Sequence, residues 1–206
     1  MNKKNEQEDF WTGDFGDQYI KRNESKNFLA SNISFFSEAL RKVKNIDNCI
    51  EFGANIGMNI RALKFLFPSI NFEAIEINQI ASAELSKVIG SKNVHQKSIL
   101  DYESKKKFSL VLSKTVLIHI NPNRLNEVYD KLYMSSKKYI LIAEYYNPVN
   151  IEIKYRGFSN KLFKRDFAGE ILKKYNDLEL IDYGFRYHGD NTHKQDDINW
   201  FLLEKK

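Results

Sequence analysis

One cysteine, three prolines and nine glycines are all that 206 residues hold of the types that staple or break a chain. Cys49 alone cannot close an intramolecular disulfide, and within the apolar run Cys49-Ile50-Glu51-Phe52 it reads as a small buried hydrophobe. No repeat, Pro-rich tract or low-complexity linker divides the sequence, so one compact domain is expected. No apolar run approaches the roughly 20 residues needed to cross a bilayer, and the first nine residues carry no segment of the secretory kind. A cytoplasmic chain with no membrane attachment is the expectation. His95, His119, His188 and His193 lack any paired ligand spacing such as H-E-x-x-H, so no metal is expected.

What is present suits a well-filled core, since 42% of residues are hydrophobic and 14% aromatic. The net charge of +5 is spread along the chain. The densest basic run, Lys105-Lys106-Lys107, sits before an apolar strand pattern and reads as a solvated turn. Charge alone therefore does not imply a nucleic-acid partner.

Hydrophobic periodicity predicts a helix over 27–40, with Leu29, Ile33, Phe36 and Leu40 on one face. Strands are predicted at 49–52, 71–77, 94–96, 108–113 and 139–144. Between them fall helical patterns through Ile60, Leu63 and Leu66, near 80–88, and over 122–135. Strands that alternate with helices in this way run parallel, and near-continuous apolar strands fit a sheet covered on both faces. A helix near 163–175 precedes runs at 178–185 and 198–203 with no helix pattern between them, which predicts an antiparallel pair. The expected fold is a doubly wound, Rossmann-like α/β domain with a mostly parallel seven-stranded sheet and an antiparallel C-terminal strand.

The first strand-to-helix turn, Glu51-Phe52-Gly53-Ala54-Asn55-Ile56-Gly57, has Gly53 for a sharp turn and Gly57 for a helix start close to a ligand. About twenty residues on, Glu76 ends the second strand, where a carboxylate can accept bonds from ribose hydroxyls. In these residues the sequence resembles the class I S-adenosylmethionine-dependent methyltransferases, whose first motif is acidic-x-Gly-x-Gly-x-Gly. Glu51, Gly53 and Gly57 match that motif. Asn55 replaces the middle glycine, and Asn tolerates left-handed backbone angles better than other non-glycine residues. The resemblance implies S-adenosylmethionine as cofactor and S-adenosylhomocysteine as product. It implies ribose binding by Glu76, with Ile77, Ser98 and Ile99 against the adenine. The fourth-strand region around Ser113 would then line the methionine moiety and the acceptor.

A narrower resemblance lies outside the core. The segment 11–23, with 162–170, 182–185 and 195–203, is similar to the pseudaminic acid biosynthesis-associated methylases. That likeness implies a small acceptor, an anionic sugar or sugar nucleotide. Arg156, Arg165, Arg186 and His188 are candidates to meet its charge, with Glu144 and Tyr145 orienting it. Residues 11–23 show neither helical nor strand periodicity and are expected to form a lid or packed arm, with Tyr19 and Arg22 reaching the cofactor carboxylate. The domain description is then 1–45 for the extension, lid and helix, and 46–206 for the cofactor-binding domain.

In-line methyl transfer needs alignment and, where the acceptor carries a proton, a base. His119, just past the fourth strand, is the candidate base or else a loop-shaping histidine, and Tyr146 after the fifth strand is a second catalytic candidate. An RNA-modifying methyltransferase, a nicotinamide-dependent oxidoreductase and a non-catalytic cofactor-binding protein remain alternatives on sequence alone.

Overall fold

The computed structural model describes residues 5–20 and 26–206. Its main sheet is built from β1 (Asn48–Phe52), β2 (Asn71–Glu76), β3 (Val94–Gln96), β4 (Phe108–Lys114), β5 (Ser136–Glu144), β8 (Leu178–Arg186) and β9 (Ile198–Lys205). They lie in the order β3-β2-β1-β4-β5-β9-β8. The first five are parallel, and β9 runs against both of its neighbours. This is the sheet expected from the sequence.

Helices α3 (Lys26–Ala39), α4 (Met58–Leu66), α5 (Gln79–Ile89), α6 (Leu125–Ser135) and α7 (Phe167–Lys174) flank it. Side chains alternate along buried strands, so β4 gives Leu110 and Leu112 to one core layer and Val111 to the other. The first layer joins them to Phe35, Phe36, Leu63 and Trp200. The second holds Ile50, Phe52, Val128, Leu132 and Ile171. Chain order runs outward from β1 in one direction and from β4 in the other, so a crevice opens between their carboxyl ends.

Two elements differ from expectation. The aperiodic amino-terminal segment contains helices α1 (Glu6–Thr12) and α2 (Asp14–Ile20), each too short to show a period. The helix expected from 163 begins at Phe167, because β6 (Ile151–Tyr155) and β7 (Phe158–Lys164) form a separate antiparallel hairpin. Arg156 and Gly157 at its tip have φ of 50° and 92°, the paired positive angles of a twist-matched two-residue turn. Among the described residues no helix is long and apolar enough to cross a membrane.

Candidate functional site

The floor of the crevice is the loop after β1. Gly53 sits at φ +72°, and a Cβ there would stand 2.7 Å from the Val116 side chain. Its N–H and that of Ala54 donate to the Ile75 carbonyl at 2.9 and 3.1 Å, which ties the loop to β2. Asn55 takes the left-handed angle its side chain allows, φ 48°, and its Oδ1 accepts from the Ile56 N–H at 2.7 Å. The Glu76 carboxylate accepts from the amides of Asn55 and Asn78, both at 2.7 Å. Each oxygen keeps a lone pair for a further donor. Burial raises the pKa of Glu76 against the pull of those amides.

The cleft above this loop encloses about 1200 Å³, open solvent at its mouth included, and Gly53, Asn55, Glu76, Ile77, Ser98 and Ile99 line it. The Ser98 hydroxyl accepts from the Leu100 N–H at 3.1 Å and shapes that wall. Beneath the loop, Asn59 donates to buried Glu51 at 2.6 Å. Glu51 Oε2 and Asn59 Oδ1 are buried with no hydrogen-bond partner among the described residues. Burial pushes the Glu51 carboxyl up to about 8. Two orphaned acceptors beside a cleft fit a ligand bearing an ammonium or hydroxyl group, and Glu76 fits a vicinal diol.

Helices α1 and α2, with the β6–β7 hairpin, make the roof. A capping box starts α1, with Asn5 Oδ1 accepting from the Glu8 N–H at 2.9 Å and Glu8 accepting from the Asn5 N–H at 2.8 Å. Gln7 donates to the Asn160 carbonyl at 3.0 Å, and Glu6 pairs with Asn160 and Lys161. Asn78 donates to the Trp11 carbonyl at 3.2 Å and to Asp17 at 2.7 Å, which joins roof to floor. The Trp11 ring meets Phe15, Tyr19 and His119 at centroid distances of 5.6, 5.3 and 4.7 Å.

His119 lines the cleft, but its Nδ1 lies 2.7 Å from the Lys161 carbonyl, to which it donates, and its ring packs between Trp11 and Tyr155. Burial lowers its pKa to about 4. The imidazole is therefore neutral and a weak proton acceptor, placed as a pin between floor and hairpin.

The remaining sequence candidates divide. Gly57 lies outside the cleft wall and caps α4 at φ +81°. Tyr19 lines the cleft, whereas Arg22 lies outside the described residues. Buried Glu144 accepts from Ser113 Oγ at 3.1 Å, from the Val116 and Leu117 amides at 3.0 Å, and from Ile118 at 3.4 Å. Both Ser113 and Glu144 thus hold the loop after β4 instead of lining the cleft. The expected substrate cations are also elsewhere. Arg165 is bound to Glu170 at 2.8 Å, Arg186 to Glu38 at 2.8 Å and the Ser34 carbonyl at 2.9 Å, and His188 to Asp197 at 2.9 Å. Arg156 sits at the hairpin tip. Tyr145 donates to Asp196 at 2.7 Å, and Tyr146 is exposed near Phe201, away from the cleft wall.

Two lining residues, Phe28 and Asn78, escaped the sequence reading, and four more, Trp11, Asn59, Lys97 and Lys114, lie in segments expected at the site without having been singled out. The Asn5-x-x-Glu8 cap signals α1, and the alternation of Ile151, Ile153 and Tyr155 before Arg156-Gly157 signals the hairpin. Lys114, a lysine ending a fully buried strand, was the available sign of an unusual charge.

The architecture is the fold of S-adenosylmethionine-dependent methyltransferases. The chain is similar to magnesium protoporphyrin IX methyltransferase from Synechocystis, solved with S-adenosylmethionine bound, at TM-score 0.69 and 11% identity over 100% of both chains. It is similar to 1,6-didemethyltoxoflavin-N1-methyltransferase from Burkholderia thailandensis, solved with its acceptor and S-adenosylhomocysteine, at TM-score 0.70 and 11% identity over 97% of this chain and 87% of that one. The plantazolicin methyltransferase BpumL, with a substrate analogue and S-adenosylhomocysteine, matches at TM-score 0.67 and 14% identity over 97% and 94%. No family model and no curated protein sequence matches the chain.

Proposed function

We propose that the chain is an S-adenosylmethionine-dependent methyltransferase of small molecules. The observation that carries this reading is the loop 53–57 bound through the Asn55 amide to Glu76, at the switch point of a sheet of this fold. When bound, the cofactor supplies a methyl group already activated on a sulfonium. Glu76 accepts from the ribose hydroxyls, Ile77, Ser98 and Ile99 border the adenine, and Glu51 with Asn59 offers acceptors to the methionine ammonium. Helices α1 and α2, within the extension 1–45 that also holds the helix α3, act as the lid that excludes water over the cofactor-binding domain 46–206, with Tyr19 at the rim.

For the acceptor we propose a small anionic sugar or sugar nucleotide of the nonulosonic acid pathways, in the cytoplasm. The likeness of 11–23 and of the C-terminal segments to the pseudaminic acid-associated methylases supports this acceptor. So does the cation Lys97 in the cleft wall.

Calorimetry with S-adenosylmethionine and S-adenosylhomocysteine on folded protein should give saturable heat for both, and no heat for either ends the reading. A labelled-methyl assay over free and nucleotide-linked acidic sugars then tests the acceptor. In that assay H119A should keep turnover if His119 only pins the roof, and loss of turnover at saturating cofactor returns it to the chemistry.

A further inference from the structure

Lys114 is the last residue of β4, 6% exposed, and forms part of the cleft wall. Among the described residues its ammonium has no hydrogen-bond or ion-pair partner within bonding distance. Its Nζ lies instead 5.7 and 5.4 Å from the ring centroids of Phe28 and Phe35 on α3. The carboxyl groups in its field are Glu51 from β1, Glu144 from β5 and Asp196 from the segment before β9. None neutralises it at close range: Glu51 is bound by Asn59, Glu144 by the amides of 116–118, and Asp196 by Tyr145. Burial of the residue disfavours the charged form, so the neutral amine is the form that the site favours.

We propose that Lys114 takes the proton shed by the methyl acceptor and stands unprotonated while the positively charged cofactor occupies the cleft. This rests on the methyl-transfer reading. The acceptor O–H or N–H bond breaks, its heteroatom bonds the methyl carbon, the carbon–sulfur pair stays on sulfur, and the proton bonds Nζ. The sulfur and Lys114 together carry one positive charge before and after, first on sulfur and then on Lys114. Burial already lowers this amine to about 8, near the pH at which it must work, whereas His119 is at about 4. A second positive charge in the same low-dielectric space drives the proton off, and its loss on methyl transfer lets the proton return.

The probes are S-adenosylmethionine and uncharged-sulfur S-adenosylhomocysteine, titrated by calorimetry between pH 6 and 8.5 against wild type, K114M and K114R. Both ligands carry an α-amine that titrates in this range, so the decisive quantity is the difference between wild type and K114M. Wild type should lose affinity for S-adenosylmethionine by up to about tenfold per pH unit below pH 8, relative to K114M, and release up to about one extra proton on binding it. S-adenosylhomocysteine should show almost no such difference. K114R, which cannot shed its proton, should bind the product normally and the methyl donor weakly at every pH; it also serves as the test if K114M does not fold.

Parallel pH curves for wild type and K114M, or K114R binding the methyl donor as tightly as wild type, overturns the proposal. Loss of product binding by a folded K114M also overturns it, since Lys114 is then a plain binding contact. Absence of binding by both ligands to wild type is a different result, which removes the methyl-transfer reading itself and the proposal with it.

Discussion

On the floor of the cleft, Gly53, Ala54, Asn55 and the loop 116–118 are held by backbone amides that end on Ile75, Glu76 and Glu144. On the roof, Trp11, Phe15 and Phe158 meet through rings, and polar contacts such as Gln7–Asn160 join two segments. Backbone bonds buried under a sheet fix positions to within a narrow range and are costly to break. Ring contacts at a rim contribute less each and can re-form after opening. The difference teaches that the floor sets what is bound, while the roof sets how long it stays.

Four experiments break or sharpen this contrast. The largest effect is expected from E144A, which leaves three amides and the Ser113 hydroxyl without their acceptor. Urea unfolding should show a loss of about 3 kcal/mol or more, and a loss under 1 kcal/mol would mean that the loop holds itself. Next is E51Q. Glu51 is raised to about 8 in the folded protein, against about 4.3 for a free glutamate, so the folded form keeps a proton that the unfolded chain releases. Its contribution is complete below pH 4.3 and is lost as pH climbs to 8. Wild type should therefore lose stability relative to E51Q with rising pH over that window, by up to about 1.4 kcal/mol per unit. Parallel curves would place the proton elsewhere.

W11A tests the roof. Global stability should fall by only about 1–2 kcal/mol, while S-adenosylhomocysteine dissociates roughly tenfold faster with little change in association. A slowed association instead would make Trp11 part of the floor's recognition. N5A, the smallest, removes the cap of α1 and should cost about 1 kcal/mol locally. The expected signature is faster amide exchange in α1 with an unmoved global transition.

The floor was legible because its signals are local. Apolar runs such as Leu110-Val111-Leu112 mark buried parallel strands, and Gly53, Asn55 and Gly57 sit at the positive φ that glycine and asparagine tolerate. The roof was not, for two physical reasons. Helices of seven residues complete barely two turns, too few for a period to appear in α1 or α2. The fate of a cation is decided by partners far along the chain: Arg186 is matched by Glu38, and Lys114 is left unmatched at the end of β4. No local pattern distinguishes the arginine that is already paired from the lysine that is not.

The contacts of Gln7 with Asn160 and of Glu6 with Lys161 join positions more than 150 residues apart. Helix α1 therefore waits until β7 has been made before its docking site exists. Until then the nascent molecule presents an open trough, and this part of the enclosure settles only after residues made much later.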